Sequence, residues 1–249
     1  MLNKTERIDQ LYSQDIKIIQ SPKVFSFSLD AVLLADFANV PKYGQIYDFC
    51  AGNGAVGLFI TKRTKAQIHL VEIQPELADM AQRSVALNHL EDQVSVKNQA
   101  VQDLSQQLDH DSVDYITCNP PYFRVQELSR QNPNPHLAIA RHEVKITIED
   151  VIKVSSQVLK TNGKLALVFR PDRLDELFQL FKTYHFAPKR IRFIYPKQDD
   201  DKDANMVLVE ALKNGRPNGV KILKPLFAYN HGQYSPEVQV LLYGSNKEN

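Results

Sequence analysis

The sequence predicts an α/β protein built on a seven-stranded, mainly parallel sheet with helices on both faces and an antiparallel last strand pair. Three observations predict it. Short apolar runs alternate with segments of helical periodicity along much of the chain, which is the pattern of βαβ units. A glycine turn, DFCAGNGAVGL (48–58), follows the first of these runs and opens a helix. In TCNPPYF (117–123) two prolines end an apolar run, because each lacks an N–H and fixes its own φ, so the segment reads as a stiff strand exit.

Taken in order, KVFSFSLDAVLLADFA (23–38) reads as an extended piece leading into a helix, with Asp30 near its start and Val32, Leu33, Leu34 and Phe37 on its apolar face. Residues 1–40 are therefore expected to form an N-terminal flank or lid, and 41–249 the main domain of one compact body. QIYDFC (45–50) is the first strand and AVGLFITKR its helix; QIHLVEI (67–73) is the second strand, followed by a helix that Pro75 opens. QVSVKN (93–98) and VDYITC (113–118) are strands three and four, which puts Asn119-Pro120-Pro121-Tyr122 at a carboxyl end, where open α/β sheets bind ligands. Residues 123–146, with Pro133, Pro135 and weak periodicity, read as a long substrate loop. Thr147 to Asp150 resembles a capping box, and the helix it starts is expected to stop at Asn162-Gly163. KLALVF (164–169), a helix near Pro171, KRIRFIYP (189–196) and NMVLVEAL (205–212) complete the sheet, with the acidic run QDDDKD (198–203) as a solvated turn.

Composition narrows the setting. At 249 residues and 43% hydrophobic, the chain suits one large domain. No run of 18 apolar residues occurs and MLNKTERIDQ has no apolar signal core, so a cytoplasmic protein without membrane attachment is expected. Two cysteines and seven scattered histidines lack metal-ligand spacing, so neither a metal nor a disulfide is expected. A net charge of +1 gives no whole-molecule field for nucleic acid, so any basic surface must be local.

The glycine turn by itself suits any adenosine ligand. Gly52, Gly54 and Gly57 fit G-x-G-x-x-G, and Glu72, 20 residues after Gly52, can accept ribose hydroxyl hydrogens from the tip of strand two. Asp48 separates the candidates. A carboxylate just before the turn repels a pyrophosphate but favours a ligand with an ammonium and a sulfonium, and S-adenosylmethionine carries both without phosphate. The plainer alternative makes Asp48 a turn cap and Glu72 a surface residue. If strands one and four are neighbours, the glycine turn and the Asn-Pro-Pro-Tyr exit share a cleft. There the Asn119 side-chain oxygen and the Pro120 carbonyl each accept one hydrogen of an –NH2 group, pointing the nitrogen lone pair at a methyl donor. The two prolines, Pro120 and Pro121, fix that carbonyl, and Tyr122 offers a stacking face.

These stretches resemble the class I S-adenosylmethionine-dependent methyltransferases, and among them the bacterial tRNA(Val) adenine-N6 methyltransferase family. FSFSLDAVLLADF (25–37), DFCAGNGAVGL, HLVEIQP, NPPYF, ARHE (140–143) and YNHGQYSPEVQ (229–239) carry the resemblance. It implies methylation of the adenine 3′ of the anticodon. It also implies a cofactor site of Ser28, Asp30, Asp48, Gly52, Asn53, Gly54, Glu72, Ile73 and Asn119, with Ser28 and Asp30 at the methionine end. Relatives commonly carry an Asp where this chain has Ala100, so Gln99, Asp103 or a backbone group must hold the cofactor's adenine amine. Phe123, Arg124, Arg141 and His142 are the candidate RNA contacts. Together with Arg130, Lys189, Arg190 and Arg192 the loop cations form a basic rim around a flipped-out base, or Arg141 and His142 simply tie the loop to the sheet. Two other readings stay open: a protein-glutamine methyltransferase, since an amide presents the same two hydrogens, and a non-catalytic dinucleotide- or RNA-binding module. Oligomeric state is not legible.

Overall fold

The computed structural model describes residues 2–22, 28–121, 145–198 and 202–245. The seven expected strands are all present. They are β3 (Gln45–Phe49), β4 (Gln67–Glu72), β5 (Val94–Asn98), β6 (Val113–Cys118), β7 (Leu159–Phe169), β8 (Phe186–Lys197) and β9 (Met206–Lys213). They lie in the order β8-β9-β7-β6-β3-β4-β5. All neighbours are parallel except the pairs that β9 makes with β7 and β8. β3 and β6 are adjacent, as the shared cleft requires, with Phe49 opposite Cys118.

The flanking segments contain more structure than the sequence reading placed there. An antiparallel hairpin, β1 (Arg7–Leu11) and β2 (Ile16–Gln20), precedes α1 (Leu29–Phe37). At the β8 edge, β10 (Lys221–Ile222), β11 (Leu226–Asn230) and β12 (Gln233–Tyr234) bring the sheet to ten strands among the described residues. The expected extended run at 23–27 lies outside the described residues.

Two apolar layers sandwich the sheet. One joins α1, α2 (Ala55–Ile60), α3 (Pro75–Leu87) and α7 (Pro236–Tyr243) to Ile46, Ile68, Leu70 and Tyr115. The other joins α4 (Leu104–Gln107), α5 (Ile148–Val158) and α6 (Leu174–Thr183) to Phe49, Val71, Ile116 and Cys118. Strand alternation explains the division, since successive β3 and β6 side chains point to opposite faces.

Local signals account for most helix starts. Pro75 sits in the first turn of α3. Thr147 forms the expected capping box, its hydroxyl accepting from the Asp150 N–H at 3.1 Å while the Asp150 carboxylate accepts from the Thr147 N–H at 3.0 Å. The helix end is corrected. α5 stops at Val158, and β7 begins at once because Leu159 already pairs with Val113; the next partner pair is Tyr115 and Lys164. Asn162, at φ 66°, thus serves a bulge between those two pairs and not a helix cap.

The N-terminal hairpin is docked on α3. Ser84 Oγ accepts the Ile19 N–H at 2.9 Å, Asn88 brackets the Lys17 backbone from both sides, and Arg83 grips Glu6 with two bonds of 2.7 and 2.8 Å. Ile19 buries itself against Leu77 and Met80. This contact carries β2 to the glycine turn, where the Asn53 amide donates to the Ile19 carbonyl at 3.1 Å.

Candidate active site

β3 ends in a turn with Cys50 at φ 56°, Gly52 at 58° and Gly54 at 87°. A non-glycine residue in the left-handed region costs about 1–2 kcal/mol, so Cys50 is held there by its surroundings. The Ala51 N–H donates to the Val71 carbonyl at 3.0 Å, and the turn closes through Gly54 N–H to the Ala51 carbonyl at 2.8 Å. Two of its glycines are needed for packing. A Cβ on Gly57 would lie 2.1 Å from Leu70 Cδ2, and one on Gly54 would lie 2.8 Å from Leu70 Cδ1. Helix α2 therefore presses on β4 more closely than any side chain allows.

Asp48 lies beneath this turn and is fully buried. Its Oδ2 accepts the Gly57 N–H at 3.0 Å and its Oδ1 accepts the Thr117 hydroxyl at 2.7 Å. Burial pushes its pKa up to about 7, against the lowering effect of those two bonds, and the nearby Glu72 charge adds to the rise. Asp48 is thus a strap joining β3, α2 and β6 rather than a side chain on an open wall. Sequence reading found Asp48 but missed Thr117, whose only signal is its place two residues before Asn119.

Glu72, at the β4 tip, is 5% exposed. Its Oε2 accepts the Gly52 N–H and its Oε1 the Gln74 N–H, both at 2.8 Å, and burial raises its pKa. Beside it, Ile73 is 39% exposed, an apolar face at the strand tip. The β5 exit is tied to the same tip: the Gln99 N–H donates to the Glu72 carbonyl at 3.1 Å and the Asn98 amide to the Glu72 and Ile73 carbonyls. The Gln99 amide nitrogen donates to Gln107 Oε1 at 2.9 Å. Ala100 caps the following turn and Asp103 is exposed within it. Asn53 is buried, and its Oδ1 has no partner among the described residues; nor does the buried Gln74 Oε1, which sequence reading did not single out.

Asn119, half-buried, leaves β6 and is followed by buried Pro120 and Pro121, the stiff exit expected. Cys118, one residue earlier, has a buried thiol that hydrogen-bonds to Cys50, and burial drives its pKa up. Ser28 is the exposed N-cap residue of α1 and Asp30 lies in that helix's first turn. α1 packs along α2, the helix that the glycine turn opens. Tyr122, Phe123, Arg124, Arg130, Arg141 and His142 lie outside the described residues.

The strand cations of the expected basic rim are committed elsewhere. Arg190 lies over the Phe37 ring at 4.5 Å and donates to the Phe37 carbonyl and to Glu210. Arg192 donates to the Lys224 carbonyl and pairs with Glu237, and Lys189 donates to the carbonyls of Arg216 and Asn218. Glu210 is buried and also accepts the Tyr115 hydroxyl at 2.6 Å, so Arg190 is needed to balance a charge in the core. Among the described residues no three metal-binding side chains converge, and no helix is long and apolar enough to cross a membrane.

Comparison with known proteins agrees with this geometry. Residues 15–194 match the methyltransferase small domain family. A tRNA1(Val) (adenine(37)-N6)-methyltransferase from Shewanella sp. (strain W3-18-1) is 28% identical over 210 residues, covering 84% of this chain and 86% of that protein. The protein of the same name from Bacteroides thetaiotaomicron is 32% identical over 168 residues, 66% of this chain and 68% of its own. Among solved structures, a crystal structure of a predicted O-methyltransferase from Agrobacterium tumefaciens superposes with a TM-score of 0.66 at 26% identity, covering 86% of this chain and 96% of the other.

Proposed function

The chain belongs to the methyltransferase small domain family and, within it, to the tRNA1(Val) (adenine(37)-N6)-methyltransferases, and we propose that it methylates the exocyclic N6 of an adenine in tRNA from S-adenosylmethionine. One observation carries the mechanism. The β3 turn and the Asn119 exit adjoin, with Phe49 opposite Cys118 and Thr117 bonded to Asp48.

The residues around the turn fit the cofactor. The Glu72 carboxylate accepts the Gly52 and Gln74 N–H groups, with the Ile73 N–H also turned to it, and its remaining acceptor capacity is proposed for the ribose. Ile73 supplies an apolar face for the cofactor's adenine, and Gln99, its amide nitrogen engaged by Gln107, keeps its carbonyl oxygen for the adenine amine. Asn53 Oδ1, a buried acceptor without a partner, suits a ligand donor such as the ammonium. Ser28 and Asp30 are assigned to the methionine end through family membership. When bound, S-adenosylmethionine supplies an electrophilic methyl on a sulfonium. Asp48 acts on that positive charge through its field, since both its oxygens are engaged within the fold. Asn119 Oδ1 and the Pro120 carbonyl accept the two amine hydrogens of the target adenine and orient its lone pair, with Pro121 stiffening the exit and Tyr122 stacking on the base. Phe123, Arg124, Arg141 and His142 are proposed to contact the RNA.

A glutamine amide offers the same two hydrogens, but both relatives carry a tRNA-modifying name, which favours adenine. The test is nucleoside mass analysis of a tRNA pool incubated with enzyme and cofactor. N6-methyladenosine is expected; methylglutamine in a translation factor, with unmodified tRNA, overturns the reading.

The raised Asp48 pKa gives a second expectation. In the free protein Asp48 titrates near 7 against an ordinary 3.8, so ionising it costs folding energy and its contribution to stability falls as pH rises between those values. A bound cation lowers that pKa, so at pH 7 S-adenosylmethionine should release part of a proton and its affinity should rise from pH 6 to 8. S-adenosylhomocysteine, lacking the sulfonium, should release less. Calorimetry in two buffers of different ionisation heat measures the difference. Equal release by both ligands, or a difference that persists in Asp48→Asn, removes Asp48 from cation recognition.

A further inference from the structure

The edge formed by β8, β11 and β12 carries three aromatic rings outside the core clusters, beside a fourth, Tyr234, that packs on one. Tyr195 and Lys197 share one face of β8 by strand alternation, and the parallel register sets Phe227 opposite Tyr195 and Tyr229 opposite Lys197. The Tyr195 and Phe227 ring centres are 5.4 Å apart. Tyr229 lies stacked against Tyr234 of β12, with ring centres 5.0 Å apart and planes inclined by 21°. Tyr195 and Phe227 are half-buried and Tyr229 is 36% exposed. Among the described residues, these three rings pack on none of the core clusters, whereas Ile194 and Leu226 on the opposite face are buried in one. Large flat rings gathered on an open sheet face mark a binding surface more often than a structural one.

The position of this face relates it to the candidate active site. Following the register from Cys118 through Leu167 and Val209 leads to Ile191. Tyr195 is four positions further along β8, so it projects past the strand tips at the same edge as Asn119. Sideways, β8 and β11 are three and four strands from β6, about 14 and 19 Å at roughly 4.8 Å per step. Tyr195 and Tyr229 also lie three and five positions beyond the level of Asn119, about 10 and 17 Å at roughly 3.3 Å per residue, so the rings stand on the order of 17 to 25 Å from it, a span of several nucleotides of an RNA loop.

We propose that this face is a stacking platform for unpaired nucleotides of the loop that carries the target adenine, several positions from it, an assignment that rests on the RNA-methylating reading above. Opening a loop to withdraw one adenine unstacks its other bases too, and aromatic rings on a sheet replace the lost stacking without reading sequence.

The test uses the full chain and anticodon stem–loop RNA carrying 2-aminopurine, placed in turn at each unpaired position other than the target adenine. Tyr229→Ala and Phe227→Ala should each raise KM by about tenfold with kcat and thermal midpoint little changed, and Tyr229→Phe should restore the wild-type value. At one or more of these positions the 2-aminopurine emission should be quenched on binding wild-type protein and remain bright with Tyr229→Ala. Unchanged KM and quenching in both alanine variants overturn the platform while leaving the methylation reading intact. So does concentration-dependent self-association that Phe227→Ala abolishes, which would assign the face to a second copy of the chain. A wild-type protein that forms no N6-methyladenosine in this RNA overturns the functional reading itself, and the platform with it.

Discussion

Replacing Asn119 with alanine should lower single-turnover methyl transfer by about a thousandfold, while S-adenosylhomocysteine binds nearly as it does to the wild type. The amine nitrogen of adenine is a poor nucleophile because its lone pair is delocalised into the ring. In the proposed mechanism Asn119, at the exit of β6, accepts one amine hydrogen and the adjoining Pro120 carbonyl the other. Removing the amide leaves the lone pair in the ring and leaves the glycine turn untouched, because the bonds that shape the turn run through Asp48, Glu72 and Val71. Rapid-quench turnover and calorimetry on the same preparation separate the two effects. If ligand affinity falls along with the rate, Asn119 belongs to the cofactor site and the division of labour is wrong.

Glu72→Ala should have the opposite signature: cofactor affinity falls about 100-fold, the loss of roughly two charge-assisted hydrogen bonds. The carboxylate already satisfies the Gly52 and Gln74 N–H groups and is approached by the Ile73 N–H, so its removal frees these backbone donors as well as the ribose contact proposed for it. Turnover at saturating cofactor should recover much of the wild-type rate, since Glu72 takes no part in orienting the amine. The measurement is the dissociation constant by calorimetry beside kcat at high cofactor. Unchanged affinity would show that the ribose lies elsewhere.

The parts of the fold legible in the sequence were those whose signals are local. Strands β3 to β6 are short apolar runs between turn residues, Pro75 marks a first helical turn, and Thr147 with Asp150 writes out its own capping box. The flanking hairpin and the three short strands at the β8 edge were not legible. Runs such as Lys221–Ile222 are two residues long, too short for any periodicity, and they owe their strand state to β8 beside them. The end of α5 was misread because Asn162-Gly163 is as good a signal for a bulge as for a cap, and only the pairing of Leu159 with Val113 decides between them.

The site shows the same limit. Residue type and spacing singled out Asp48, Gly52, Glu72 and Asn119, which lie at the ends of adjacent strands, but could not tell a carboxylate lining an opening from one sealed beneath it. Asp48 is sealed because Thr117 and the Gly57 N–H reach it from two other elements, separated from it by 69 and 9 residues. The same holds for Lys189, Arg190 and Arg192. Their sequence reads as a basic stripe, while the partners that occupy them come from α1, α7 and the segments after β9.

The short link between Thr117 and Asp48 bears on how the reaction distance is kept. It fastens the loop assigned to the donor and the strand end assigned to the acceptor into one rigid block, so thermal fluctuation carries both together. Part of the spacing between the two strand ends is then set by folding itself.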